Sequence, residues 1–147
     1  MPRNQRKTAK KKRATKNEST QPHFFVDLEH SNTANRSITL MVASRTCYAC
    51  KQSDEEEWSQ STGAEKYIDC IAEHCQQTSD YLLPDTPIKE AIFRVILSHR
   101  NQPTNADDIS RTLSEKWALS PYPTDISPKV ILHLLKNSEA YFISQSP

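Results

Sequence analysis

The stretch PIKEAIFRVIL, Pro87–Leu97, decides how the C-terminal part of this chain folds. Its apolar side chains recur at the three- and four-residue spacing of one helix face, at Ile88, Ile92, Val95 and Ile96, with Ala91 and Phe93 beside them. Thr86 is of a residue type that caps helices, and Pro87 suits the first helical position because that position needs no N–H. The stretch therefore predicts an amphipathic helix packed on a core.

Two further helices and a strand are predicted downstream. The second helix begins near Thr104, with Asp107 as a capping partner three residues later. Its inward positions are Ile109, Leu113 and Trp117. Ser127-Pro128 opens the third helix, whose inward positions are Val130, Ile131, Leu134 and Leu135. The apolar segment AYFIS, Ala140–Ser144, predicts a terminal strand.

Two segments, PIKEAIFRVILSHRNQPTNADDISRTLSEKW and SPKVILHLLKNSEAYFIS, together resemble a winged-helix domain of the HARE-HTH family. Domains of that family open with a helix of the form xxEAIxxVL, continue with pxxxxeIxxxL and close on a short strand. The resemblance covers residues 85–144 and rests on hydrophobic spacing. It implies a helix-turn-helix fold and a role in transcription or chromatin machinery.

The four cysteines lie within 29 residues, in the pattern C-x2-C-x19-C-x4-C. Cys47 and Cys50 form a knuckle, a tight turn from which two thiolates can reach one ion, and Cys70 and Cys75 follow. This spacing is close to that of structural zinc sites, so zinc is the predicted cofactor. A redox pair at Cys47 and Cys50 is disfavoured, because thioredoxin-type motifs need a βαβ context that this sequence lacks.

The fourth zinc ligand stays open at this point. Cys70 and His74 are four residues apart and share a helix face, whereas Cys70 and Cys75 lie about 140° apart around a helix. Both cysteines can bind only if the helix ends or unwinds near the metal. We take Cys47, Cys50, Cys70 and Cys75 as the predicted ligands, with His74 as the alternative.

The segment before the knuckle has an ambiguous pattern. Ile38, Leu40 and Val42 alternate as in a strand, but Ile38, Met41 and Val42 also fit one helix face. The β-branched content favours a strand, but the choice between strand and helix stays open at this point; a strand could pair with the apolar run Phe24–Leu28 as a hairpin. The segment Ala64–Gln77 predicts a helix.

A basic arm precedes all of this. Residues 1–18 carry eight basic side chains and one acidic side chain, whereas the other 129 residues carry 11 basic and 17 acidic ones. The arm has almost no large apolar residue, so we expect it to be disordered in isolation and to contact phosphate. The predicted contacts are Arg3, Arg6, Lys7, Lys10, Lys11, Lys12, Arg13 and Lys16. A nuclear-localisation signal has the same composition.

Lys129 and Lys136 of the third helix are predicted to add to this nucleic-acid-binding surface. Base readout by that helix is disfavoured, because acidic residues oppose its cations: Asp107, Asp108, Glu115, Asp125 and Glu139. The expected partner is nucleic acid, with DNA favoured over RNA. The alternative is a protein-interaction module docked on a nucleoprotein complex such as a ribosome or an RNA polymerase.

Enzymatic function is not expected. With a single glycine, the chain cannot form the Gly-rich loops that bind nucleotides. The acids Asp54–Glu57 lie on a polar loop, where they are poor candidates for the general base of a catalytic zinc. The sequence also lacks the H-E-x-x-H motif of zinc peptidases.

The predicted fold is α+β and mainly α, in three parts. Residues 1–22 form the disordered basic arm, residues 23–81 the zinc-binding segment and residues 82–147 the winged-helix domain with three helices. No apolar run is long enough to span a membrane, and the basic N-terminus has no apolar segment behind it, as a secretory signal would. The expected location is therefore intracellular: the bacterial cytoplasm and nucleoid, or the nucleus of a eukaryote.

Overall fold

The computed structural model of the chain describes residues 21–29, 35–53, 63–121 and 124–147. These residues form an α+β fold that is mainly helical, with three short strands. The elements, in chain order, are β1 His23–Val26, α1 Asn35–Ala43, α2 Tyr48–Ser53, α3 Ala64–Glu73, α4 Ile88–Ser98, β2 Thr104–Asn105, α5 Ala106–Lys116, α6 Pro128–Lys136 and β3 Ile143–Gln145. Short 3-10 turns lie at Cys75–Gln77 and Glu139–Tyr141. Among the described helices, none has the length and apolar character that crossing a membrane requires.

Helix α4 lies at the centre of the core, as its sequence predicts. Six of its eleven residues are buried: Ala91, Ile92, Phe93, Val95, Ile96 and Leu97. Ile109 and Leu113 of α5 and Ile131 and Leu135 of α6 are buried in the same core. The predicted inward positions Val130 and Leu134 are only partly buried, because the buried face of α6 is narrow.

The helix starts differ in detail from the predicted ones. Helix α4 begins at Ile88 with Pro87 as its N-cap, so Thr86 is not the capping residue. The cap of α5 is Asn105, whose side chain accepts a hydrogen bond of 2.8 Å from the backbone N–H of Asp108. Thr104 belongs instead to strand β2. Helix α6 begins as predicted, with Ser127 as N-cap and Pro128 in its first turn.

The three strands form one antiparallel sheet in the order β2-β1-β3. Phe24 pairs with Thr104 on one side and with Gln145 on the other. Of the two structures left open for Ile38–Val42, the helix is the one that forms, as part of α1 Asn35–Ala43, so the possible hairpin with Phe24–Leu28 does not form. Ile38 and Val42 are both buried in this helix. Residues four apart lie on the same face of a helix and also of a strand, so this pair could not distinguish the two.

The last strand begins later than the AYFIS pattern predicts. Glu139–Tyr141 is a 3-10 turn, Phe142 has a left-handed backbone with φ of 56°, and only Ile143–Gln145 pairs with β1. Asn101 is also left-handed, with φ of 59°, and its side-chain amide both donates to Val26 O and accepts from Val26 N. The end of β1 is thereby held by the turn after α4.

A single core crosses the predicted boundary at residue 82. Phe24 and Val26 of β1, Val42 of α1 and Ile71 of α3 are buried in one cluster with α4. The division into two domains stays a prediction. Strand β1 precedes residue 82, yet it is the central strand of a sheet whose other strands, β2 and β3, follow that residue.

Candidate metal centre

The end of α3 brings His74 and Cys75 next to the cysteine knuckle. The helix stops at Glu73, and His74 leaves helical geometry with φ of −132°. Cys75 then begins a 3-10 turn. This break removes the angular conflict between Cys70 and Cys75, because the two residues no longer follow one continuous helix.

Four side chains lie close enough to bind one ion. The ligand atoms of Cys47, Cys50, His74 and Cys75 all lie within 4.8 Å of one another, so these residues could hold a metal ion. Cys50 Sγ lies 3.7 Å from Cys75 Sγ and 3.6 Å from His74 Nδ1, and Cys47 Sγ lies 3.1 Å from the same nitrogen.

Two of these three distances are close to those expected around a tetrahedral ion. With zinc–sulfur bonds of about 2.3 Å and zinc–nitrogen bonds of about 2.0 Å, two sulfurs of a tetrahedral site are about 3.8 Å apart, and a sulfur and a nitrogen about 3.5 Å apart. The two distances from Cys50 are close to these values. An ion bound by all four side chains would have every tetrahedral position filled by the protein.

Cys70, a predicted ligand, takes a different place. Its sulfur forms a disulfide with Cys50, and it lies 4.0 Å from Cys75 Sγ. The predicted alternative ligand, His74, is the residue that joins Cys47, Cys50 and Cys75 in the cluster. Position 74 is exposed, which leaves its ring free of the hydrophobic core.

Cys75 is the most deeply placed of these donors. It is fully buried, and this burial raises the pKa of its thiol to about 11. The backbone N–H of Cys47 donates to Cys75 Sγ at 3.1 Å, an interaction that favours a thiolate. A bound cation would reverse the effect of burial, because a coordinated thiol loses its proton.

An ion-pair network that sequence reasoning missed anchors the turn in front of Cys47. Arg45 donates through Nε and Nη2 to the two carboxylate oxygens of Glu90, and Arg94 donates to Glu90 Oε2 at 2.8 Å. Arg45 also lies over the ring of Phe93. The sequence signal for this network is the acid Glu90 in a helix of which six residues in eleven are buried.

Comparison of the chain with protein-family models, with curated proteins and with solved structures gives no match. The site therefore has to be judged on its own geometry.

The predicted phosphate contacts fall into two groups. Arg3, Arg6, Lys7, Lys10, Lys11, Lys12, Arg13 and Lys16 lie outside the described residues, as do the acids 54–57. Lys129 and Lys136 are both exposed on α6, together with His133. These three side chains are spaced by four and three residues, so they share one face of the helix.

Proposed function

We propose that this protein is a non-enzymatic nucleic-acid-binding protein, in which a basic arm contacts phosphate beside a winged-helix domain and a structural zinc stabilises the middle of the chain. The main observation behind the proposal is that the residues after the arm's cations contact the start of α5. Gln21 donates from Nε2 to Asp107 Oδ2 at 2.8 Å, in the first turn of α5.

The residues that follow the arm's cations, Gln21 and Pro22, lie next to α6, the second helix of the predicted helix-turn-helix motif. Gln21 and Pro22 line a cleft of about 290 Å³ together with Pro128, Lys129 and Leu132 of α6. In helix-turn-helix proteins the N-terminal part of the second helix of the motif enters the major groove. Lys16 precedes Gln21 by five residues in the sequence, and five residues of extended chain span at most about 18 Å. Arm and helix can therefore engage the same stretch of duplex.

The order of elements supports the winged-helix part of the proposal. Helix α4, strand β2, helices α5 and α6 and strand β3 follow one another, and α5 packs closely on α6. The exposed face of α6 carries Lys129, His133 and Lys136, and the whole helix, PKVILHLLK, lacks acidic residues. Its charge therefore favours phosphate.

The donor set supports zinc as the metal. Thiolates and imidazole together are typical of tetrahedral zinc, whereas magnesium and calcium prefer oxygen ligands. The four donors come from the knuckle and from the end of α3, so the ion would join two segments that are 24 residues apart in sequence at Cys50 and His74.

A salt titration of DNA binding tests the proposal. The full chain is compared with a variant whose eight arm cations are replaced by glutamine, which keeps the length of the arm, and with Lys129→Ala/Lys136→Ala. If the arm makes five phosphate contacts, the slope of log K against log salt is about −4.5 on duplex DNA. The glutamine variant should lose most of its affinity and its slope, and the helix variant should lose less.

Equal affinity and equal slope for the full chain and the glutamine variant would overturn the arm's role. A duplex and a single strand of RNA, run in parallel, decide between DNA and RNA as the preferred ligand.

A further inference from the structure

Five donors converge where a tetrahedral ion takes four. Besides the four clustered side chains, Cys70 reaches the same place: it is bonded to Cys50 and lies 4.0 Å from Cys75 Sγ. Cys50 is the residue common to both arrangements, since its sulfur also lies 3.7 Å from Cys75 Sγ and 3.6 Å from His74 Nδ1.

The two arrangements exclude each other chemically. A zinc ligand is a thiolate, and a sulfur that forms a disulfide has no thiolate charge to offer. We propose that Cys50 and Cys70 form a redox modification site, at which oxidation by a peroxide joins the two sulfurs and removes one of the four zinc ligands. This inference rests on the zinc site of the proposed function and is independent of its nucleic-acid binding.

The reaction balances with one peroxide per disulfide. The Cys70 thiolate attacks hydrogen peroxide, the O–O bond breaks, and a sulfenic acid and one hydroxide result. The Cys50 thiolate leaves the metal and attacks the Cys70 sulfur, which forms the S–S bond and expels a second hydroxide. Two protons from solvent turn the hydroxides into water. The thiols are oxidised, the peroxide is reduced, and zinc departs as the divalent ion with its charge unchanged.

The placement of the two sulfurs suits this order of steps. Cys70 is partly exposed on α3, where a small oxidant can reach it, whereas Cys50 is 7% exposed. Their Cα atoms are 7.0 Å apart, slightly more than the usual disulfide separation of about 4.4–6.8 Å. The accessible thiol is therefore the one that reacts first, and the buried one resolves it.

Oxidation would exchange one cross-link for another. The disulfide joins α2 to α3, and the metal would join α2 to His74, the residue that directly follows α3. We therefore expect the oxidised chain to stay folded after the ion leaves, with the change confined to Cys47, His74 and Cys75.

The test uses the full reduced chain loaded with zinc and titrated with hydrogen peroxide. Released zinc is read with a chromogenic chelator, disulfides are mapped by mass spectrometry, and the zinc content is measured before oxidant is added. The matched variant is Cys70→Ser, which keeps Cys47, Cys50, His74 and Cys75. Wild type should release about one zinc per Cys50–Cys70 disulfide formed, and Cys70→Ser should load zinc and release it at least tenfold more slowly.

Each other outcome has a distinct meaning. Equal release rates, or a disulfide between other cysteines, would overturn the inference. Failure of Cys70→Ser to load zinc would overturn it as well, because Cys70 would then be a permanent ligand. A reduced wild type without zinc overturns the metal site itself, whereas zinc that stays bound while the disulfide forms overturns this inference alone.

Discussion

Arg45 and Glu90 form a two-pronged ion pair that ties the cysteine knuckle to the central helix. Arg45 Nε lies 3.0 Å from Glu90 Oε2 while Nη2 donates to Oε1, and the side chains are 18% and 15% exposed. Arg45 is two residues before Cys47. The knuckle is thus positioned by charge as well as by the core.

Removing the charge of Glu90 should destabilise the chain. Glu90→Gln leaves Arg45 and Arg94 half-buried without their carboxylate, which we expect to cost about 2 kcal/mol at neutral pH. The matched control is Glu73→Gln, which removes a carboxylate 66% exposed and should change stability by less than about 0.5 kcal/mol. Urea unfolding in reductant and chelator measures both; equal midpoints for the two variants would contradict the prediction.

The effect of Glu90 should depend on pH in a defined direction. Burial raises the pKa of Glu90, but hydrogen bonds and charge from Arg45 and Arg94 outweigh it and hold the pKa below its ordinary value. A carboxylate with a lowered folded-state pKa contributes stability that is complete above its unfolded pKa, about 4.3, and is lost as the pH falls through the lowered value. The difference between wild type and Glu90→Gln should therefore shrink below about pH 4, and a constant difference down to pH 2 would contradict this.

Loss of one knuckle ligand should loosen the middle of the chain. Cys47→Ser should bind less than one zinc and should expose the backbone amides of α1, α2 and α3 to hydrogen exchange, because the metal contributes folding energy directly. Strand β1 should stay protected, since β2 and β3 hold it. Ser44→Ala serves as the control. It removes an exposed hydroxyl that accepts a hydrogen bond from Arg45, close to the knuckle but outside the metal cluster, and it should keep the zinc. Uniform loss of protection across β1 and α4 would show that the ion supports the whole fold.

Truncating a core side chain should lower the free energy of unfolding much more than truncating a surface side chain. Ile92→Ala removes a fully buried side chain and should cost roughly 2–5 kcal/mol. Leu119 is 99% exposed, so Leu119→Ala should be nearly neutral. Thermal unfolding followed by circular dichroism compares the two, and a melting temperature for Ile92→Ala within a degree of wild type would place that side chain outside the core.

Asn101 should stabilise the fold in two ways, by tolerating a left-handed backbone and by the hydrogen bonds of its side-chain amide. Asn101→Ala loses two hydrogen bonds to Val26, and alanine tolerates the positive φ of 59° at this position poorly. Together these effects should lower the free energy of unfolding by about 2–3 kcal/mol. Asn101→Gly restores the freedom of the backbone and should recover about 1 kcal/mol of that loss. Alanine and glycine variants of equal stability would mean that the hydrogen bonds alone matter.

The helices were predictable because their signals are local. Ile88, Ile92, Val95 and Ile96 repeat at helical spacing, and Ser127-Pro128 marks the start of α6, so a short window of sequence is enough. The sheet was not predictable in this way. Strand β2 is two residues long, and β1 pairs with residues about 80 and 120 positions away, which no local pattern encodes.

In the candidate metal site, too, the local features were predictable and the long-range ones were not. Cys47 and Cys50 follow from one turn, and the spacing alone identifies them. The place of His74 depends on where α3 ends, and helix ends are poorly defined by sequence when the cap is formed without a glycine. The partnership of Arg45 with Glu90 spans 45 residues and needed the packed structure.

Among the described elements, strand β1 comes first in the chain and its partner β3 comes last. Val26 pairs with Ile143, and at 5–20 residues per second the ribosome needs roughly 6–24 s to make the chain between them. The contact order of the sheet is therefore high, and the edge of β1 that pairs with β3 stays open until the rest of the chain has emerged. The cluster of cysteines and His74, which is complete at residue 75 and could hold a metal ion, is synthesised well before that interval ends.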